Sequence, residues 1–557
     1  MRITRHFLTV GNRRVHYTRA GEGPAVCLLH ASPCSAKVLR LPQQVFAGHF
    51  TALAFDTPGF GLSDLLPLEQ PEIEDFADGL AEALTALGVE QTATYGRHTG
   101  ASIAVEFARR HPARCAMALT DGFPVFSAKA AEERLSRYLL PIVPQWDGSH
   151  LVWLWFRYRD QHVFWPWHNQ TLAFRADTDA PDPDFNHRGV IELLEAGDGY
   201  RIGYSAAFRH RGLAMLPELT VPVCFGNRPG DSQHRTMSQY PAAAWQQEMP
   251  RDPLAAAAAE RAVLLGHPAR GAPPPPPPLA TPIAGRSTTN YYEIGGAQVL
   301  VRTIGEAHGA APLVIAPHVP GSSALYEALL RELGNDRPVI CFDPPGHGES
   351  DPRPDGAQSP EAWAETLWAV CDALGVSQAH LLGHNAGAAT AVAAAAAQPG
   401  RVLSLLLDAP IALPERARQA WASSWAPDVT PVWDGSHLLR MWHMRRDMGL
   451  WFPWWDRTLA AARAVEPRLA PEDLQQEIRE AAKQPASFAP AWQAAIGWPL
   501  PERLAQLPHR VALLVSGADL FGQCLDQAAA VRPDAHVIRY ADTTSDRAAA
   551  VRAALAG

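Results

Sequence analysis

The chain has 557 residues, more than one hydrophobic core usually supports, so we expect two domains. Hydrophobic residues make up 47% of the sequence and charged residues 19%, a composition typical of a folded globular protein rather than a disordered one. The net charge is -9 and there is no basic run, which argues against nucleic acid or an anionic membrane as the main partner.

The cysteines are odd in number and scattered, which fits a reducing compartment, and none has the spacing of a metal site. We therefore expect no metal and no cofactor. The N-terminus lacks the apolar core of a signal peptide, and no apolar run is long enough to span a membrane. These features predict a soluble, cytoplasmic protein. Cys34 lies in a polar loop and is the cysteine to test for reactivity, although a spectator thiol is the favoured interpretation.

A segment of domain length occurs twice, at an offset of 287 positions. Three features keep this register: Trp146–Leu151 recurs as Trp433–Leu438, His98 corresponds to Asn385, and Asp121 corresponds to Asp408. We predict one domain over residues 1–270 with a cap at about 126–216, and a second over 283–557 with a cap at about 412–505. The linker between them, 271–282, contains the run Pro273–Pro278, which favours a stiff, extended spacer.

Each copy shows the same order of predicted elements. An antiparallel hairpin comes first, followed by two buried strands, a helix, and a third buried strand with its own helix. In the first copy these are Arg5–Val10, Arg14–Arg19, Ala25–His30, Thr51–Phe55, Ile73–Leu87 and Ser102–Arg110. In the second they include Asn290–Ile294, Gln298–Thr303, Leu313–His318, Pro338–Phe342 and Pro360–Leu374. Alternating strands and helices predict a doubly wound α/β sheet, mostly parallel, in each copy.

The stretch Ala93–Ala101 has the form of a nucleophile elbow, in which a glycine stands two positions before the displayed residue and another two positions after it. His98 occupies the position where a serine is expected. In the second copy the same position holds Asn385, preceded by His384. Histidine can act as a nucleophile or as a general base, whereas an asparagine amide can only orient a substrate or a water.

Four features together resemble the α/β-hydrolase fold family over nearly the whole of both copies. They are the loop His30–Pro33, the acid-led turns Asp56–Asp64 and Asp343–Asp351, the elbow glycines, and the cap insertions. The cap-bearing members most similar to this pattern are esterases, epoxide hydrolases, dehalogenases and carbon–carbon hydrolases. The resemblance implies an elbow nucleophile, a late histidine as base, an acid that orients it, and an oxyanion loop.

Neither copy holds a Ser-His-Asp set. The acid after the seventh strand is Asp519 in the second copy, while the first copy places Arg228 there, with Asp231 three residues later. The late histidine is missing from both copies. Ordinary acyl-enzyme chemistry is therefore disfavoured, because triad catalysis depends on all its members.

The predicted catalytic residues are His98, Asp121 and His30. Residues predicted to contact a substrate are Ser32, Arg97 and Thr99 near the first elbow, Trp146, His150, Trp155, Arg159 and Trp167 in the first cap, and His384, Asn385 and His437 in the second copy. The shared cap residues would form an aromatic pocket over the elbow. Each also has a structural alternative: Trp146–His150 as a helix start, Arg159 paired with Asp160, and His98 as a filler that caps the elbow helix.

Two functions from different classes remain open. The first is an enzyme that acts on a small apolar or aromatic molecule, with His98 as base or nucleophile and the second copy in a supporting role. The second is a pseudo-hydrolase that binds a ligand or serves as a scaffold. The partner in either case is a small molecule, and the two caps would form an intramolecular pseudo-dimer if they meet.

Overall fold

The structure is a computed structural model that describes residues 1–277, 279–306 and 309–556. Pro278, in the predicted linker, and Ala307, His308 and Gly557, in the predicted second domain, lie outside the described residues. The chain divides into two units. The first unit consists of Met1–Val143 with Trp153–Thr281, and the second consists of Pro144–Val152 with the chain from Pro282 onward.

The first unit contains an eight-stranded sheet among its described residues, in the order β1-β2-β4-β3-β5-β6-β7-β8. The strands are β1 Thr4–Val10, β2 Arg13–Ala20, β3 Ala25–Leu29, β4 Thr51–Phe55, β5 Thr92–Arg97, β6 Cys115–Asp121, β7 Val223–Asn227 and β8 Trp245–Glu248. The hairpin β1–β2 pairs antiparallel and β2 pairs antiparallel with β4, while all later pairs are parallel. Every residue of β3 and β4 is buried, as expected for parallel strands covered on both faces.

The second unit repeats this strand order, again with eight strands in its described part. The strands are β9 Thr288–Ile294, β10 Ala297–Ile304, β11 Leu313–Ala316, β12 Val339–Phe342, β13 Ala379–His384, β14 Val402–Asp408, β15 Val511–Ser516 and β16 His536–Tyr540. The two sheets confirm the predicted architecture, a doubly wound and mostly parallel α/β fold that occurs twice. Their matching order fits a duplication.

Helices fill the connections between strands. In the first half of the chain they are α1 Arg40–Phe46, α2 Ile73–Ala86, α3 Thr99–Arg110, α4 Ala128–Arg137, α5 Ser149–Val163, α6 Pro183–Ala196, α7 Tyr200–Arg209, α8 Gly212–Met215 and α9 Pro253–Leu265. In the second half they are α10 Glu327–Leu333, α11 Pro360–Ala373, α12 Gly387–Ala397, α13 Glu415–Trp421, α14 Ser436–Met448, α15 Pro471–Ala482, α16 Pro485–Gly497, α17 Leu500–Ala505, α18 Leu525–Val531 and α19 Thr544–Ala556. Helices α4–α8 and α13–α17 follow the sixth strand of their sheet and form the caps.

A glutamate of each cap is bonded to a serine that begins a short helix of the core. In the first unit the Ser35 hydroxyl donates to Glu192 Oε1 at 2.7 Å, and the Ser35 amide donates to Oε2 at 3.2 Å. In the second unit the Ser322 hydroxyl donates to Glu480 Oε2 at 2.6 Å. All four side chains are buried. The cap of each unit is therefore attached to its core by a buried hydrogen bond.

The two glutamates differ in charge compensation. Lys483 and Arg479 lie 3.1 Å and 2.7 Å from the Glu480 carboxylate, and, against the effect of burial, their charges lower its pKa to about 2. The matching positions around Glu192 hold Ile191 and Glu195. Burial there raises the pKa of Glu192 to about 7, with Lys37 and the Ser35 bonds opposing the shift.

This difference predicts opposite effects of Glu192→Gln and Glu480→Gln on stability. A carboxyl whose folded pKa is raised contributes stability below about pH 4.5, and that contribution is lost as the pH rises through about 7. Glu192→Gln should therefore gain on the order of 1 kcal/mol relative to wild type between pH 5 and pH 8. Glu480 contributes above its ordinary pKa, so Glu480→Gln should cost about 2 kcal/mol or more at pH 8.

Urea unfolding of both variants and the wild type at pH 5 and pH 8 measures these differences. Glutamine has nearly the size of glutamate, so neither substitution changes the packing much. Because both variants make the same change at corresponding positions, each serves as the matched control for the other. An equal loss of stability in both variants at pH 8 would contradict the prediction.

Candidate functional site

The first elbow displays His98 in a strained turn between β5 and α3. His98 has φ +47° and ψ −110°, a backbone conformation that residues with a Cβ rarely adopt. The turn requires its two glycines, because a Cβ on Gly96 would lie 2.1 Å from the carbonyl oxygen of Gly100, and a Cβ on Gly100 would lie 2.1 Å from that of Leu29. Helix α3 begins directly after His98, at Thr99 rather than at the predicted Ser102, because the turn is already complete there.

The second elbow has the same geometry around Asn385. Its φ is +50°, and its backbone N–H donates to the backbone carbonyl of Asp408 at 2.9 Å. In the same way, the backbone N–H of His98 donates to the backbone carbonyl of Asp121 at 3.1 Å. Asparagine tolerates positive φ better than most residues, which suits it to this position. Both elbows thus present one side chain above the carboxyl ends of the parallel strands.

His98 forms an ion-pair contact with Asp231, which lies in the loop after β7. The distance from Nε2 to Oδ2 is 2.8 Å, with the imidazole 29% exposed and the carboxylate 6% exposed. Burial opposes ionisation of Asp231, but the charge and hydrogen bond of His98 and the charge of Arg97 dominate and lower its pKa. With Nε2–H donated to Asp231, Nδ1 of His98 carries the lone pair, and no partner for it occurs among the described residues.

The carboxylate of Asp121, a predicted catalytic acid, has no described contact with the imidazole of His98 and pairs with arginine instead. This carboxylate is fully buried, accepts from Arg228 NH2 at 2.5 Å and forms an ion pair with Arg97, whose Nε lies 3.3 Å from Oδ2. The Tyr95 hydroxyl adds a third contact at 3.4 Å. Asp121 is therefore part of a buried network of charges under the elbow. The acid whose carboxylate contacts the His98 ring is Asp231.

His30, the third predicted catalytic residue, is buried and bonded to the backbone through both ring nitrogens. Its Nε2 accepts from the amide of Thr57 at 3.0 Å, and its Nδ1 lies 3.0 Å from the carbonyl of Ala31. Burial lowers its pKa and keeps the ring neutral. His30 therefore holds the loop after β3 in place. Ser32 and Thr99 are also buried, and Thr99 is the first residue of α3.

The cap contributes His162 and Tyr158 to the surroundings of the first elbow. Burial and the nearby charges of Arg97 and His98 lower the pKa of His162 to about 3, so its ring is neutral at pH 7. The Tyr158 hydroxyl lies 3.5 Å from Cys34 Sγ, and burial raises the pKa of that thiol to about 12. Cys34 is thus a protonated, buried thiol, which agrees with the favoured spectator interpretation.

Three predicted cap residues of the first unit have structural partners. The Trp167 indole N–H donates to the carbonyl of Tyr138 at 3.2 Å, and Trp155 is buried. Arg159 Nε and NH2 donate to Asp160 Oδ1 at 2.9 Å and 2.8 Å. The Arg159–Asp160 pair is the structural alternative of the sequence analysis, and it leaves little of the guanidinium for a substrate carboxylate.

Trp146 and His150 belong to the second unit, which differs from the expectation that they wall a pocket over the first elbow. The carbonyl of Trp146 accepts from the Trp442 indole N–H at 3.2 Å, and the side chain of Trp146 is 65% exposed. The His150 ring packs edge-on against Trp442, with centroids 4.9 Å apart. His437 is fully buried in α14, and its Nδ1 accepts from the amide of Val432 at 3.4 Å.

The second elbow lies in a chain of hydrogen bonds. The amide of His318 donates to the Tyr326 hydroxyl at 2.8 Å, and that hydroxyl lies 2.8 Å from His384 Nδ1. The orientation of the Asn385 amide that satisfies its neighbours accepts from His384 Nε2 at 3.1 Å and donates to Asp519 Oδ1 at 3.1 Å. Burial lowers the pKa of His384 to about 3 and raises that of Asp519 to about 6.

Asp408 repeats the role of Asp121 with a different arginine. It is fully buried and accepts from Arg547 Nε, on α19, at 2.7 Å and from the Tyr540 hydroxyl at 2.9 Å. The acid after the sixth strand therefore pairs with arginine in both units, but the arginine comes from the loop after β7 in one and from the last helix in the other.

A cavity of about 690 Å³ lies over the second elbow, within the second unit. Its floor includes His318, His384, Asn385 and Asp519. Its apolar wall is formed mainly by Met441, Met444, Met448, Leu474, Phe488 and Trp492. This volume is within the range of small-molecule sites.

Sequence reasoning found both elbows but missed the residue that each one contacts. Asp231 and Asp519 follow the seventh strand of their sheets at positions that differ by 288, one more than the repeat offset. The sequence comparison instead matched Gly226–Arg228 with Gly517–Asp519 and so placed Arg228 at the acid position. The presence of an acid shortly after the seventh strand in both copies was the available signal.

Within residues 1–277, 279–306 and 309–556, no helix combines the length and apolarity needed to cross a membrane. The same described ranges contain no cluster of three or more acidic, histidine or cysteine side chains placed to hold a metal ion.

Comparisons with known proteins match parts of the chain. Residues 311–440 match the family model of the alpha/beta hydrolase fold. A proline iminopeptidase of Heyndrickxia coagulans is 31% identical over 124 residues, 22% of this chain and 43% of that protein. A proline iminopeptidase of Lactobacillus delbrueckii subsp. lactis is 34% identical over 131 residues, 22% of this chain and 45% of that protein. The chain therefore spans less than half the length of these curated relatives.

Among solved structures, an esterase from Rhodococcus sp. ECU1013 is 20% identical, with a TM-score of 0.37, and covers 49% of this chain and 98% of that one. The family match is confined to the second unit, whose strand order the first unit repeats. The matched segment and the shared sheet order support the α/β-hydrolase superfamily for this chain.

Proposed function

We propose that the first unit is an α/β-hydrolase-fold enzyme that acts on a small, largely apolar or aromatic molecule, with His98 as its general base. The observation that carries this proposal is the 2.8 Å contact between His98 Nε2 and Asp231 Oδ2 at a partly exposed elbow. A histidine oriented by a buried carboxylate is the arrangement that moves protons in triad enzymes, although here the serine is absent.

In this mechanism Nδ1 of His98 removes a proton from a water molecule or from an acidic group of the substrate. Asp231 stabilises the imidazolium that forms, because its low pKa keeps it ionised beside the ring. The N-terminus of α3, with the amide of Thr99, provides the positive end of a helix dipole for a developing oxyanion. The chemistry is hydrolysis or a lyase-type reaction that needs a base and no acyl-enzyme.

The neutral ring of His162 and the ion pair of Arg97 restrict the charge that the substrate can carry. His162 offers a hydrogen bond without charge, and Arg97 is engaged with Asp121. A site of this kind favours an uncharged substrate over a carboxylate. The second unit, with an amide at its elbow, has the supporting role in this proposal.

A ligand-binding function without turnover is the second candidate. The observation in its favour is that Asn385 replaces the nucleophile in the unit that contains the 690 Å³ cavity. An amide neither attacks carbon nor exchanges protons near neutral pH.

The first prediction concerns His98→Ala. This variant should lose activity on any substrate found in a panel of aryl esters, because no other described side chain occupies the base position next to Asp231. Initial rates with purified protein measure the loss. His49→Ala, which removes an exposed histidine of the same unit, is the matched control and should keep full activity. Asn385→Ala should lower activity less than His98→Ala. Undiminished turnover in His98→Ala would exclude His98 as the base.

The second prediction concerns Asp231→Asn. The amide keeps the size of the side chain but cannot stabilise an imidazolium, so kcat should fall by about 10²- to 10³-fold with little change in KM. Asp184→Asn changes an exposed carboxylate of the same unit and controls for the loss of one charge.

A fluorophosphonate probe should label neither elbow. A labelled serine, or an Asp231→Asn enzyme with normal kcat, would contradict the dyad.

A further inference from the structure

We propose that the cavity of the second unit is a separate, non-covalent binding site for an uncharged, largely apolar small molecule that carries a hydroxyl or N–H group, with Asp519 as the acceptor of that group. This site does not depend on the reaction proposed for His98, because every residue that forms it belongs to the second unit.

The acceptor is defined by how the two oxygens of Asp519 are used. Oδ1 accepts from the amide of Phe521 at 2.9 Å and from the Asn385 amide at 3.1 Å. Oδ2 lies 3.4 Å from His384 Nε2, which has Asn385 as a closer partner at 3.1 Å. Oδ2 therefore retains acceptor capacity at the floor of the cavity.

Three arginines around the cavity are already paired with acids, which favours an uncharged ligand. Arg445 pairs with Glu477 at 2.8 Å, Arg547 with Asp408 at 2.7 Å, and Arg468 with Asp542 at 3.0 Å. The remaining positive charge near Asp519 is that of Arg463, which donates to the carbonyl of Asp519 and offsets its carboxylate. A cationic ligand would add to these arginines, and an anionic one would face Asp519.

The elbow supports binding rather than a covalent step. Asn385 holds the position of the nucleophile with its amide bonded to Asp519, to the carbonyl of Ala409 and to His384. His384 is neutral because burial lowers its pKa to about 3. A rigid, fully bonded amide and a neutral imidazole place hydrogen-bonding groups without a nucleophile.

The apolar wall sets the shape of the ligand. Met441, Met444 and Met448 lie on one face of α14, opposite Phe488 and Trp492 of α16. Thioether and aromatic side chains accommodate flat apolar bodies well. A two-ring aromatic molecule with one hydroxyl group has both the flat apolar ring system that fits this wall and the hydrogen-bond donor that fits Asp519.

The test is a calorimetric titration of the full-length protein with four probes: 2-naphthol, naphthalene, 2-naphthoate and 2-naphthylmethylammonium. We expect 2-naphthol to bind at pH 7.5, at least about tenfold more tightly than naphthalene, because naphthalene lacks the donor. Tighter binding of the anion or the cation would overturn the charge argument, and equal binding of naphthol and naphthalene would overturn the role of Asp519.

Asp519→Asn should weaken 2-naphthol binding at least about tenfold. Asp526→Asn, an exposed carboxylate of the same unit, is the matched control and should bind like the wild type. Ala481→Phe, which fills the cavity from α15, should abolish binding and keeps the proposal testable if Asp519→Asn fails to fold. Wild-type affinity in Ala481→Phe would show that the probe binds elsewhere.

The affinity should also depend on pH. The groups that face Asp519 are His384, Arg445, Arg463, Arg547, Tyr540 and Cys524. The arginines stay charged, and His384, Tyr540 and Cys524 stay neutral between pH 5 and 7.5, so Asp519 is the group that titrates. Binding of 2-naphthol should weaken about tenfold from pH 7.5 to pH 5, as the carboxylate is protonated. A pH-independent affinity would contradict the assignment of Asp519.

Discussion

The interaction on which both candidate sites depend is the hydrogen bond between the elbow residue and the acid after the seventh strand. In the first unit it joins His98 to Asp231 at 2.8 Å, and in the second it joins Asn385 to Asp519 at 3.1 Å. Each elbow residue has positive φ, a strained conformation that persists only where its surroundings hold it. The bond to a buried acid is one such restraint, and the glycines that let α3 and α12 pack against the sheet are another.

This bond also supplies a hydrogen-bond partner to the buried acid after the seventh strand of each sheet. A carboxylate near the end of the seventh strand needs donors, because an unpaired buried charge costs several kcal/mol, on the order of 3–5. In both units the elbow side chain supplies one of them. The buried acid after the sixth strand is satisfied separately, by Arg228 for Asp121 and by Arg547 for Asp408. The two acids of each unit therefore have distinct side-chain partners, and the acid after the seventh strand is the one bonded to the side chain of the elbow residue.

Sequence patterns predicted the sheets well, because buried parallel strands such as Thr51–Phe55 are continuous apolar runs and the elbow glycines have a fixed spacing. They did not predict the partners of the elbow. Asp231 is separated from His98 by 133 positions, and this segment is one residue shorter than the segment between Asn385 and Asp519 in the other copy. The pairing of Asp121 with Arg228 was equally hidden, since a long-range ion pair leaves no periodic signal. Trp146 was misplaced because a repeat shows which residues correspond but not which unit each one packs in.

The same frame gives the two units different chemical capacities. An imidazole held by an ionised acid cycles a proton, whereas an amide held by an acid whose pKa is raised to about 6 does not, and can only fix the direction in which that acid accepts a bond. The proposals for the two units differ accordingly, with proton transfer at His98 and recognition at Asn385. The charge environment follows the same division: Arg97 and His98 keep Asp231 ionised, while burial dominates at Asp519. The acid next to His98 therefore stays ionised through the physiological pH range, whereas the acid next to Asn385 titrates close to that range.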